Sequence, residues 1–278
     1  MNKKLIKQSV IGLLLGGGAV WVGYSLISKE VIAKIYAYDN PLIMVPSLIF
    51  AVFFAIGIHE FGHLFMGIIQ GFKVELFVVG FLGVERRQGK LKLFFNKDAQ
   101  YFGGIAATSP NKKYPDIRKR FAWIVAGGPL FSVLFGCLLF VVFSFQNSEF
   151  NSFLAFSGFI SLLLFLATTL PEKSGSFFTD RKRLQRLLDK GHDGKVELAL
   201  LESINQNFID GHCKNLQLDN LEIIKKAKEP FIQFWGYYFE LQYLRDVGQQ
   251  GTNAELMSKL KSYEEYFPKA SWKTFGIE

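Results

Sequence analysis

Hydrophobic positions along this chain fall in blocks rather than in the narrow stripes of a soluble fold. Four blocks, at about 9–28, 42–69, 121–145 and 153–171, hold close to the ~20 mostly apolar residues that a helix needs to cross a bilayer. The first follows Met1-Asn2-Lys3-Lys4, a basic start like that of a secretory signal. It lacks a small-x-small cleavage site and further apolar blocks come after it, so it is read as a span.

Between the second and third blocks the period changes. Leu91, Leu93 and Phe95 alternate with Lys90, Lys92 and Phe94, and Gln88-Gly89 supplies a turn after Val84-Glu85-Arg86. This predicts a small sheet of three or four strands over 72–110 at the membrane surface. Beyond residue 181 the pattern is helical and polar. "DRKRLQRLLDKG" is a basic helix stopped by Gly191, and further helices fit about 194–206, 217–228, 230–247 and 253–266, punctuated by Pro230 and Gly248 to Gly251. The fold class is therefore a polytopic α-helical membrane protein of about four transmembrane helices, with a small cytoplasmic β-sheet insert and a soluble α-helical C-terminal tail. Three regions follow: 1–40, a first span and external loop; 41–180, the membrane core with its insert; and 181–278, the tail.

Composition agrees, with half of the 278 residues apolar and 30 of them Phe. The net charge of +8 would fit a nucleic-acid binder, but its distribution argues otherwise. Lys and Arg gather at the N-terminus, across 72–120 and after the last span, while the connections at 29–41 and 146–152 hold only Lys29 and Lys34. With four spans these basic segments share one side, which places both termini and the insert in the cytoplasm of a multi-pass cell-membrane protein. An anionic inner leaflet accounts for the charge, so membrane lipid is an expected partner and nucleic acid is not. Cys137 in a span and Cys213 in the tail are not expected to form a disulfide.

Within the second block lies "IGIHEFGHLF". His59 and His63 are four apart, so a helix stacks them on one face where both rings can reach one ion. Glu60, next to the first, can reach a metal-bound water without being a ligand; this is the H-E-x-x-H zinc pattern. An ionisable residue at mid-membrane costs about 2.5–3.5 kcal/mol on insertion scales, so a cluster of three argues for function over a buried polar cluster that only joins helices. A catalytic zinc needs a third protein ligand. His192 and His212 fall in the tail. Asp180 follows the last span after a Pro- and Gly-interrupted stretch able to fold back toward the bilayer, and it competes with a plain helix-capping role for Thr179 or Asp180. Glu172 is the other candidate.

These residues resemble the site-2 protease family of intramembrane zinc metalloproteases across most of 40–190. His59-Glu60-Phe61-Gly62-His63 is similar to the family's first metal motif, "GGIAATSP" at 103–110 to its glycine-rich strand, "AGGPLFSVLFG" at 126–136 to its Gly-Pro-x-x-Asn helix, and "TLPEKSGSFFTD" to its third-ligand segment. The resemblance implies Zn2+ on His59, His63 and Asp180, Glu60 as general base, and a substrate hydrogen bond from Ser132, which stands where the family has Asn. Arg181 replaces the Gly that follows the ligand Asp. The implied activity is hydrolysis of membrane-embedded helices or signal-peptide remnants. The alternatives are an inactive membrane scaffold of the same fold, a zinc transporter, and a zinc protease acting on soluble peptides at the membrane surface.

Overall fold

The computed structural model describes Lys29, Ala33, Lys34 and residues 41–145, 151–170, 173–174, 177–249, 253–267, 272 and 275–277. The expected first span at 9–28, and Glu172, lie outside the described residues. Among the described residues three helices are long and apolar enough to cross a membrane: α1 (Pro41–Ile69), α2 (Ile117–Phe145) and α3 (Asn151–Thr169). Each matches a predicted block to within a few residues. By contacts the chain divides into two units, Met1–His59 with Leu130–Ala167, and Glu60–Pro129 with Thr168–Glu278; the three boundaries fall inside the three long helices.

In the first unit, α1 buries one stripe at four-residue intervals: Ser47, Ala51, Ala55 and His59. Small side chains there admit close neighbours, whereas Val45, Ile49 and Phe50 are exposed, as expected of surfaces that meet lipid. The second half of α2 meets α3 in the same way. A Cβ on Gly136 would lie 3.2 Å from the Gly158 carbonyl oxygen, and one on Gly158 equally close to that of Gly136.

In the second unit, α1 ends at Gly71, whose φ of 85° turns the chain into the sheet. Four antiparallel strands, β1 (Phe72–Val79), β2 (Leu82–Arg87), β3 (Lys90–Phe95) and β4 (Ile105–Pro110), lie in the order β3-β2-β1-β4. The β2–β3 turn has positive φ at both Gln88 and Gly89, the geometry of a tight two-residue hairpin. Its register opposes Leu82 to Phe95, Val84 to Leu93 and Arg86 to Leu91. Leu91, Leu93 and Phe95 therefore share one face and are all exposed. Tyr114 donates to the Gly71 carbonyl at 3.1 Å and Arg120 to that of Gln70 at 2.9 Å, so the start of α2 secures the end of α1.

After a two-residue hairpin of β5 (Lys173–Ser174) and β6 (Phe177–Phe178) comes α4 (Asp180–Leu188). The tail continues as α5 (His192–Asp210), α6 (Leu218–Lys225), α7 (Pro230–Asp246) and α8 (Asn253–Lys261), with a short 3-10 turn at Glu264–Tyr266. Leu200, Leu221, Ile224 and Ile232 form one core. The aromatic segment at 231–244 supplies a second, where Phe234 is fully buried against Phe267 and Phe275. Cys137 and Cys213 are free thiols.

Candidate metal centre

α1 carries the centre, and its own periodicity does the first part of the work. His59 and His63 stand one turn apart on an unbroken helix, with Glu60 between them and partly exposed. Gly62 has a separate purpose. A Cβ on Gly127 of α2 would lie 2.4 Å from the Gly62 carbonyl oxygen, so the two backbones touch where the histidines emerge. Only glycine at 127 permits that approach.

The contact brings the α2 backbone to His63. Its Nδ1 lies 2.8 Å from the Ile124 carbonyl oxygen and 3.4 Å from the Gly128 amide. A carbonyl only accepts, so Nδ1 carries the hydrogen and Nε2 keeps its lone pair for an ion. His59 is held differently: its Nδ1 lies 2.9 Å from Ser132 Oγ, and both residues are buried. A hydroxyl both donates and accepts, so the contact is compatible with the same arrangement, in which Nδ1–H donates to Ser132 and Nε2 is the nitrogen for an ion. Ser132, expected to offer a hydrogen bond to substrate, is fully buried, with its hydroxyl beside His59.

Asp180 completes the group. Its Oδ1 lies 3.5 Å from His63 Nε2. Two ligands of a tetrahedral zinc, bonded at about 2.0–2.2 Å, stand roughly 3.4 Å apart, so this spacing fits two donors sharing one ion. With His59 one turn back on α1, one ligand atom from each of His59, His63 and Asp180 lies within 4.8 Å of the others. Two imidazoles and a carboxylate are a donor set that zinc accepts in catalytic sites.

The competing roles of Thr179 and Asp180 are shared out by the structure. Thr179 is the N-cap of α4, its hydroxyl accepting from the Lys182 amide and donating to the Leu170 carbonyl at 2.6 Å. Asp180 is the first helical residue, and its carboxylate faces His63. Arg118 of α2 donates to the Leu187 and Asp189 carbonyls, satisfying the last turn of α4. On the tail side, Arg186 of α4 meets Glu197 at 3.1 Å and Glu229 at 3.4 Å, and Arg183 meets Glu197 at 3.2 Å. Sequence reasoning missed the Ile124 carbonyl, the Gly62–Gly127 contact and the Arg186 hub. A backbone carbonyl leaves no mark on a sequence; Gly127, the first glycine of "AGGP", was visible only as part of a motif.

The described residues thus combine three long apolar helices, a small antiparallel sheet and a His-His-Asp group that could hold a metal ion. The chain matches the family model of Peptidase family M50 over residues 47–270 and belongs to that family, the site-2 protease family. It is accordingly a membrane-located member of a metallopeptidase family in which zinc is the typical metal. No curated protein and no solved structure matches the chain.

Proposed function

We propose that the protein is an intramembrane zinc endopeptidase that hydrolyses peptide bonds of membrane-embedded helices or signal-peptide remnants. The observation that carries this reading is the group of His59, His63 and Asp180, with Glu60 on the same helix. His59 and His63 would hold zinc through Nε2 and Asp180 through a carboxylate oxygen. When bound, zinc would acidify a water and polarise the scissile carbonyl. Glu60 accepts the proton of the attacking water and passes it to the leaving amine nitrogen. The Ile124 carbonyl holds His63 in the tautomer the chemistry needs, and Ser132 orients the His59 ring.

Orientation follows from charge, with the chain multi-pass and both termini in the cytoplasm. Glu60 then lies about ten residues, on the order of 15 Å, from the end of α1, within reach of water through a cleft open on that side. A helical substrate hides its peptide bonds and must unwind before attack. Among the described residues β3 is an edge of the sheet, a position that would suit an extended segment added as a further strand. A scaffold would not need to retain Glu60, which counts against an inactive role.

Elemental analysis of the purified chain tests the centre. About one zinc per chain is expected, lost in His59→Ala and Asp180→Asn and kept in Glu60→Gln, with cleavage of a spanning substrate abolished in all three. A metal-free unmodified chain, even after reconstitution with zinc, would refute the reading. Proline substitutions in β3 should reduce cleavage and leave metal bound; unchanged turnover would remove the strand from substrate handling.

A further inference from the structure

The first turns of α2 and the C-terminal part of α4 frame a groove of about 600 Å³ that the metal centre does not use. Its floor is apolar, with Trp123, Ala126, Leu184 and Leu188 among its lining. Trp123 is 49% exposed and Leu188 67% exposed, a costly display unless something apolar lies on them. Around the floor stand Arg118, Lys119 and Lys190. The one acid at the rim, Asp116, is engaged by Arg120 at 2.8 Å, so the groove faces its occupant with net positive charge.

The occupant must therefore be apolar at one end and anionic at the other. Its address is the end of a membrane-spanning helix, where hydrocarbon gives way to headgroups and where Trp concentrates. Lys119 also sits in the first turn of α2, where the helix dipole is already positive, so a phosphate there offsets an unfavourable pairing. A soluble anion would leave the apolar floor uncovered, and a neutral lipid would leave the cations unpaired.

We propose that this groove binds an anionic phospholipid, with the phosphate against Lys119 and Lys190 and an acyl chain along Trp123 and Ala126. Arg118 forms part of the wall, since its guanidinium is bound to the α4 carbonyls. The proposal does not depend on proteolysis, because none of these residues belongs to the metal centre.

Quenching of Trp123 by brominated lipid tests it in the full chain reconstituted in nanodiscs, with Trp123→Phe subtracted to remove the other indoles. At equal mole fraction, dibrominated phosphatidylglycerol should quench Trp123 several-fold more effectively than dibrominated phosphatidylcholine. Lys119→Gln and Lys190→Gln should each weaken that preference about fivefold, the equivalent of one basic residue near an anionic surface. An unchanged thermal unfolding midpoint in these variants would show that the fold is intact. Equal quenching by the two lipids, or a preference that survives the double variant, would overturn the proposal. So would relief of quenching by millimolar inorganic phosphate, which would identify a free phosphate as the ligand.

Discussion

Ser132 Oγ lies 2.9 Å from His59 Nδ1, and both side chains are buried. Ser132 thus meets the first histidine of the H-E-x-x-H pattern and orients its ring through Nδ1. Partners of this kind typically change metal affinity by about 10–100-fold. Ser132→Ala should therefore weaken zinc binding by that order, measured by competition with a chelator, while Ser132→Thr should restore most of it. Substitution of Co2+ gives a second readout, since a reoriented imidazole alters the visible spectrum. An unchanged affinity in Ser132→Ala would mean that the hydroxyl only fills space.

Gly127 meets the Gly62 carbonyl too closely for any side chain. Gly127→Ala must push α2 away from α1 and lengthen the His63–Ile124 bond. Overpacking of this kind costs about 1–3 kcal/mol. Thermal unfolding in detergent should show that loss, accompanied by weaker metal binding. Gly103→Ala, where a Cβ meets nothing within 4 Å, is the control and should change neither.

Arg186 is 2% exposed and Glu197 4%, so their bond is a buried ion pair. Replacing Arg186 by Leu leaves the buried Glu197 with Arg183 at 3.2 Å; losing one partner of a buried pair typically costs about 3–5 kcal/mol, and the remaining arginine places this variant at the lower end. Because α4 begins with Asp180, the variant should lose stability and zinc together. Glu197→Gln with Arg186→Leu should recover part of both. Zinc retention in an otherwise destabilised Arg186→Leu would separate the tail from the centre.

Cys213 is buried, with Asp246 accepting from its amide at 2.6 Å. Burial first, and the Asp246 carboxylate second, push its thiol up to about 11. The thiolate is the reactive form, so labelling of Cys213 in the folded chain should be negligible at neutral pH. It should rise about tenfold per pH unit toward pH 11. Mass spectrometry of the labelled tail peptide against a Cys213→Ser control checks this, and rapid labelling at pH 7 would contradict it.

The features legible in the sequence were those with local periods. Two histidines four apart share a helix face whatever surrounds them, because 3.6 residues make a turn. The spans were readable because lipid demands a minimum apolar length, and the β2–β3 hairpin because its side chains alternate and Gln88-Gly89 takes positive φ. The tail is helical, but with other bounds than the pattern implied: α5 is longer, and α6 and α8 are shorter. Tertiary structure decided what sequence spacing does not encode. Asp180 and a helix cap at Thr179 read alike until the carboxylate is seen facing His63 across more than a hundred residues of chain. The turn of Ser132 toward His59, and the Ile124 carbonyl that holds His63, depend on how closely helix backbones approach, and that distance is set by packing between distant segments.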